Sequence, residues 1–242
     1  MKYKLETIPV WDALQENTEC LICSLMEKAE KRFIEYYLGS SVMNPETRVK
    51  VNSTGFCPEH YADLAQAEKP QPMSLVAHTH LLETMEMLKP VMKKLSRVES
   101  ARKSGKHIVE MKKILLKRDK GCLICESMKK TLNRYAFTLV HLLGNDDEFR
   151  NAFSRSKSIC LHHLPAVLEM AGDALTRDQQ SDFFKEIIAS AEKSLEKSAE
   201  DVHWMTQRYK SENRDKDWNG CQDAHKRAVL REMGKGRILS DE

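Results

Sequence analysis

Cys20-Leu21-Ile22-Cys23 returns as Cys122-Leu123-Ile124-Cys125, an offset of 102 residues. At the same offset Met26 aligns with Met128, Lys28 with Lys130, Arg32 with Arg134, Glu46 with Glu148 and Arg48 with Arg150. After a slip of one residue, Cys57-Pro58-Glu59-His60 aligns with Cys160-Leu161-His162-His163. Isolated four-residue matches arise by chance, but an ordered series with one small slip does not. The chain reads as a duplicated unit of about a hundred residues, the kind of internal period that decides a fold before any local signal does.

Each copy has the same anatomy. After the first CxxC, residues 24–38 carry Leu25, Ala29, Phe33, Tyr36 and Tyr37 at helical spacing. Gly39-Ser40-Ser41 breaks that run, and Asn44-Pro45-Glu46 offers a cap and a first-turn proline for a second helix, expected to reach about Val51. Gly55-Phe56 leads into Cys57, with Pro58 opening a third helix. The second copy repeats the plan, with Asn145-Asp146-Asp147 as the cap cluster and Cys160 expected to open its last helix.

Between the copies, Lys69-Pro70-Gln71-Pro72 reads as a turn and residues 73–95 as a helix. Gly105 is the expected break in the polar stretch 96–106. Residues 176–209 place Phe183, Ile187, Ala191 and Leu195 on one stripe with Lys and Glu on the flanks, which is a long amphipathic helix. Asp217-Trp218-Asn219-Gly220 reads as a turn, followed by a short helix over 221–233 and a polar tail. No stretch alternates as a strand does. The expectation is an all-α protein of two duplicated helical metal-binding units plus a long C-terminal helix. The boundaries are 1–95 for the first CxxC/CxxH unit, 96–172 for the second, and 173–242 for the long helix and a short terminal one.

The 39 basic and 36 acidic residues nearly cancel, so no bulk field calls for nucleic acid or a membrane. Nine glycines and seven prolines in 242 residues, with abundant Lys, Glu, Leu, Ala and Met, argue against a β-sandwich, a disulfide-knotted miniprotein or a disordered tail. The longest apolar run, Ala136-Phe137-Thr138-Leu139-Val140-His141-Leu142-Leu143, falls well short of a membrane span. Early Glu6 and Asp12 argue against an export signal, so a cytosolic protein is expected. There thiols stay reduced, and paired cysteines serve metals or redox chemistry more often than disulfides.

A CxxC turns two thiolates toward one point, and a CxxH can close the tetrahedron that zinc asks for. Pairing each CxxC with the CxxH of its own copy predicts one site from Cys20, Cys23, Cys57 and His60. The other takes Cys122, Cys125, Cys160 and His163. His163 aligns with His60 and is preferred over its neighbour His162. Two zinc ions per chain are expected, each in a closed and therefore structural Cys3His site, with an iron–sulfur cluster as the alternative. The odd seventh cysteine, Cys221, is left over; paired with His225 it could bind metal, but a small buried side chain is the plainer reading.

These stretches resemble a bacterial and archaeal family classed as a domain of unknown function. Its members pair an early CxxC with Gly-Phe-Cys-x-x-His and repeat the pattern. The matching stretches here are Cys20–Cys23, Asn44-Pro45-Glu46-Thr47-Arg48, Gly55-Phe56-Cys57-Pro58-Glu59-His60 and their second copies, with Trp218-Asn219-Gly220-Cys221-Gln222-Asp223-Ala224-His225-Lys226-Arg227-Ala228 near the end. The resemblance covers nearly the whole chain and implies no reaction. Ser158-Ile159 stands where the motif has Gly-Phe, which touches the local turn and not the ligands.

Other residues carry weaker signals. Arg48 and Arg150, at equivalent places, fit charge compensation, capture of an anion, or an ordinary ion pair. His78 and His80 read as exposed helix, and Met85, Met87 and Met92 as core rather than an adaptable pocket. The basic residues Lys93, Lys94, Arg97, Arg102, Lys103, Lys106, Lys112, Lys113, Lys117 and Arg118 have few aromatics among them, which favours a solvated face over nucleic-acid binding. The leading functional expectation is a zinc-stabilised binding or regulatory protein with a protein or small-molecule partner. The alternative is a redox or metal-handling protein using the CxxC thiols. An enzyme is the weakest reading, for want of a general base, nucleophile or phosphate loop in a suitable context.

Overall fold

The computed structural model describes residues 3–16, 18–98, 101–157 and 159–235. Ser158 of the second-copy turn, the side chains of Arg102 and Lys103, and the end of the polar tail lie outside the described residues. Within them the protein is helical, with no strand.

Contacts divide the chain into two compact units, residues 1–29 with 129–242, and residues 30–128. The divisions fall inside the two helices that follow the CxxC motifs, so the compact units are not the two sequence copies. The boundaries at 95 and 172 followed the repeat, whereas packing follows the helices.

The first unit begins with α1 (Thr7–Gln15) and the start of α2 (Leu21–Tyr37). In the second unit, α2 ends at a short 3-10 turn, and α3 (Pro45–Thr54) follows with Asn44 as its cap: the Asn44 side chain accepts from the Thr47 amide at 3.1 Å. Such a cap is worth about 1 kcal/mol. α4 (Pro58–Gln66) starts on Pro58 with Cys57 at the cap. α5 (Pro70–Leu95) takes Pro70 and Pro72 into its first turn, where the missing amides would have had no partner. The expected turn at 69–72 is thus a helix start. α5 packs against α3, α4 and α6 (Ala101–Asp119). Gly105 sits inside α6 and breaks nothing, because a single exposed helical glycine costs only about 1 kcal/mol. Leu38, Leu64, Ile124 and Met128 are fully buried here.

α7 (Leu123–Asn145) starts one residue after Cys122, as α2 starts one residue after Cys20. In the first unit it is followed by α8 (Asp147–Ser154), capped by Asp146 through the Phe149 amide at 3.0 Å. α9 (Leu164–Glu169) and α10 (Ala171–Ala174) are short. α9 starts after His163, so the expectation that Cys160 opens this helix is corrected: residues 161–163 form a turn instead. α11 (Arg177–Arg208), the long C-terminal helix, is held at its start by a capping box between Thr176 and Gln179. α12 (Ala224–Met233) packs on α11. The core of this unit is built from Ile22, Leu25, Tyr135, Phe137, Leu139 and Phe149, with the Trp11 ring edge-on to Phe149.

Candidate metal centres

The structure brings together all eight Cys and His residues of the paired motifs, in a different pairing from the one expected. Cys20 and Cys23 converge with Cys160 and His163 in the first unit, and Cys57 and His60 with Cys122 and Cys125 in the second. Each cluster joins the CxxC of one copy to the CxxH of the other. The divisions between the compact units fall inside α2 and α7, so the CxxC and the CxxH of one copy lie in different units, and each CxxC closes with the CxxH of its own unit.

In the first cluster the Nδ1 of His163 lies 3.3 Å from the sulfur of Cys160, 3.4 Å from that of Cys23 and 3.9 Å from that of Cys20. The Cys23 and Cys160 sulfurs are 3.7 Å apart. Amides of His163 and Leu164 both donate to the Cys160 carbonyl at 3.1 Å, and this turn aims the Cys160 and His163 side chains at one point. All four residues are buried. His162, the alternative to His163, stands edge-on to it and outside the cluster.

A segment with no cysteine signature completes this centre. The Lys235 amide donates to the Cys23 sulfur at 3.2 Å. Gly234, at φ 68°, ends α12, and a Cβ there would lie 3.3 Å from the Cys160 sulfur and 3.2 Å from His162. Only glycine suits both the left-handed backbone and the close approach. Beside it the buried Arg231 donates to Glu19 at 2.8 Å, next to Cys20 in sequence, and Lys157 reaches the same carboxylate at 2.6 Å. A backbone amide leaves no trace in residue type; the glycine just past a helix end was the one available hint.

In the second cluster the Nδ1 of His60 lies 3.1 Å from the sulfur of Cys57, 3.3 Å from that of Cys122 and 3.4 Å from that of Cys125. The Cys57 and Cys125 sulfurs are 3.9 Å apart. The loops are stitched by the Leu123 amide donating to the Gly55 carbonyl at 3.2 Å. A Cβ on Gly121 would press to 2.7 Å from the Thr54 methyl and 2.9 Å from its carbonyl oxygen. The Nε2 of His60 pairs with Glu30 at 3.1 Å. A carboxylate on the far nitrogen of a ligating imidazole fixes ring and tautomer. Asp63 lies close by as well, within 4.8 Å of Glu30 and His60.

These spacings suit a single ion. With Zn–S near 2.3 Å and Zn–N near 2.0–2.1 Å, a tetrahedron has sulfur–sulfur edges of about 3.8 Å and sulfur–nitrogen edges of about 3.6 Å. Within each cluster the thiols shift one another's protonation, and the imidazole contributes. The Cys125 thiol, and after it His60, hold Cys122 down to about 3, while Cys122 in turn pushes Cys125 up. Desolvation opposes charge on His60, but bonds to Cys122 and Glu30 outweigh it and raise the imidazole to about 10. In the first cluster burial works against the Cys20 thiolate, yet bonds from Cys160, Cys23 and His163 bring its pKa well down. Cys160 is pushed up by Cys20 and Cys23 and then by burial. Protons shared in this way are those a cation displaces on binding.

The remaining candidates fall elsewhere. Cys221 is buried, its thiol pushed up by burial and by Asp201, and it belongs to neither cluster. His78 is exposed as expected, whereas half-buried His80 packs against Tyr61, and burial lowers its pKa. Met85, Met87 and Met92, expected as core, are exposed on α5. Arg150 pairs with Asp147 at 3.5 Å and Glu186 at 3.9 Å. No helix among the described residues is long and apolar enough to cross a membrane.

Comparison with known proteins places the sequence in a family. The chain is 21% identical over 194 residues to a protein from Caldicellulosiruptor sp. (strain Rt8B.4) titled "Uncharacterized 23.9 kDa protein in xynA 3'region", covering 74% of this chain and 76% of that one. No solved structure matches the chain. A family model matches residues 1–237, and with that span the chain belongs to the Family of unknown function (DUF6062).

Proposed function

We propose that this is a cytosolic zinc-binding helical protein, a binding or regulatory module in which two Cys3His centres act as structural staples. The observation that carries the reading is the convergence of two complete four-ligand sets at tetrahedral spacing. Cys20, Cys23, Cys160 and His163 hold one ion, and Cys57, His60, Cys122 and Cys125 the other. Each centre then carries a net charge of about −1, and with all four positions taken by protein the ion supplies folding energy rather than chemistry. Compact spacing speaks for one ion per centre over an iron–sulfur cluster, which spreads its cysteines over several metal atoms. Two copies of one ancestral unit, exchanging their CxxH segments, account for the crossed pairing.

Cys57 and Cys125 are only half buried, which favours metal handling or thiol exchange as a second reading at that centre alone. Elemental analysis of protein purified without added metal tests the proposal, with two zinc per chain expected. Removing the metal with a strong chelator should abolish cooperative melting of both units. Full helicity and an unchanged melt after complete metal removal would reject the staple, and visible thiolate-to-iron absorption would reject zinc.

A further inference from the structure

The first unit carries a groove of about 800 Å3 that the metal centres do not use, between α8 and α11 with the end of α7. Its floor is apolar: Phe153, Phe183 and Ile187 reach it from the buried core. Its rim is cationic. Arg150 and Lys197 are engaged by carboxylates, but Arg155 and Lys193 form no ion pair among the described residues. Asn151 and Ser190 add an amide and a hydroxyl that make no hydrogen bond among the described residues. Among the described residues Glu186 is the one acidic group lining it, and it faces Arg150.

The second unit offers an internal control. Arg48, the sequence counterpart of Arg150, lines a crevice of only about 10 Å3, walled in part by Leu75, Val76 and Thr79 of α5. The open form is therefore not a necessary outcome of this helical arrangement. A space of this size with an apolar floor and a few polar groups at one edge is how small-molecule sites are built. Unpaired guanidinium and ammonium groups at that edge select an anionic head.

We propose that the groove between α8 and α11 binds an anionic amphiphile, an apolar body of small-molecule size bearing a carboxylate or phosphate, with Arg155 and Lys193 on the head and Phe153, Phe183 and Ile187 under the body. The site does not depend on the metal assignment. Calorimetric titration of the full metal-loaded chain with decanoate and with decyl phosphate, below micelle formation, tests it against decanol and decyltrimethylammonium. Saturable one-to-one binding of the anions is expected, at least tenfold tighter than of the neutral or cationic probe. The tighter of the two anions identifies the head group.

The double variant Arg155→Glu/Lys193→Glu alters two exposed side chains and should weaken anion binding at least tenfold, with helicity and metal content unchanged. Ala189→Trp, at an exposed position on the groove wall, should abolish binding of every probe. Equal affinity for anion and cation, an undiminished affinity in the charge-reversed double variant, or no binding by the parent protein would each overturn the proposal.

Discussion

The two clusters use the same residue types, three cysteines and one histidine, with the CxxC first in one and the CxxH first in the other, yet they are protected differently. In the first unit all four ligand side chains are buried, and the backbone at Gly234 and Lys235 closes over the sulfurs. In the second, Cys57 and Cys125 remain half exposed, and support comes from a side chain, Glu30, on the far nitrogen of His60. One centre is defended by covering and the other by orientation. Identical ligands therefore do not imply identical lability, because exclusion of water and fixation of the ligand are separate physical contributions.

The largest expected effect tests the crossed pairing itself. Cys20→Ser and His163→Ala belong to one cluster, so each single variant and the double variant should all retain one zinc per chain. Cys20→Ser combined with Cys57→Ser strikes both clusters and should retain none. Pairing within a copy predicts the reverse pattern, with the first double losing both ions and the second keeping one. Metal-coupled folding of small Cys/His sites is worth roughly 10–16 kcal/mol, so these variants should also show the deepest losses of thermal stability.

A smaller effect separates the two kinds of protection. Glu30→Ala leaves every ligand in place and removes only the group that orients His60. Zinc affinity at the second centre should fall by roughly 10–100-fold while the first centre is unaffected. Competition against a chromophoric chelator resolves this, since one of the two ions should transfer at a lower chelator concentration than in the parent. Simultaneous weakening of both ions would contradict the assignment of Glu30 to one centre.

Much of this was legible in the sequence, and the illegible part has a consistent physical character. Helix content followed from the spacing of residues such as Phe183, Ile187 and Ala191, and Asn44 and the cluster with Asp146 announced two helix starts through their cap chemistry. The eight residues that converge were visible as types at fixed spacing, and the offset of 103 pointed to His163 over His162. Their partition was hidden, because it depends on where a 17-residue and a 23-residue helix end in space. Pro70 and Pro72 misled because the rule that breaks a helix interior does not apply to its first turn. The amide of Lys235 could not be foreseen, since every residue has one.

The smallest effect tests how that amide is kept in place. Asp201 on α11 accepts from Arg227 of α12 at 3.0 Å and from Lys197 at 2.8 Å, and its side chain is only 9% exposed. Desolvation alone would raise its pKa, but Lys197 and Arg227 bring it below the ordinary carboxylate value. A depressed folded-state pKa contributes stability that is present above the unfolded value of about 3.9 and lost as pH falls through the folded value. Asp201→Asn should therefore cost about 1–3 kcal/mol at neutral pH. That gap to the parent should close as denaturation curves are repeated below about pH 4. Because α12 leads directly to Gly234 and Lys235, the variant should also release zinc faster from the first centre while the second keeps its rate. Faster release from both, or from neither, would mean that covering by the end of α12 is not what distinguishes the two.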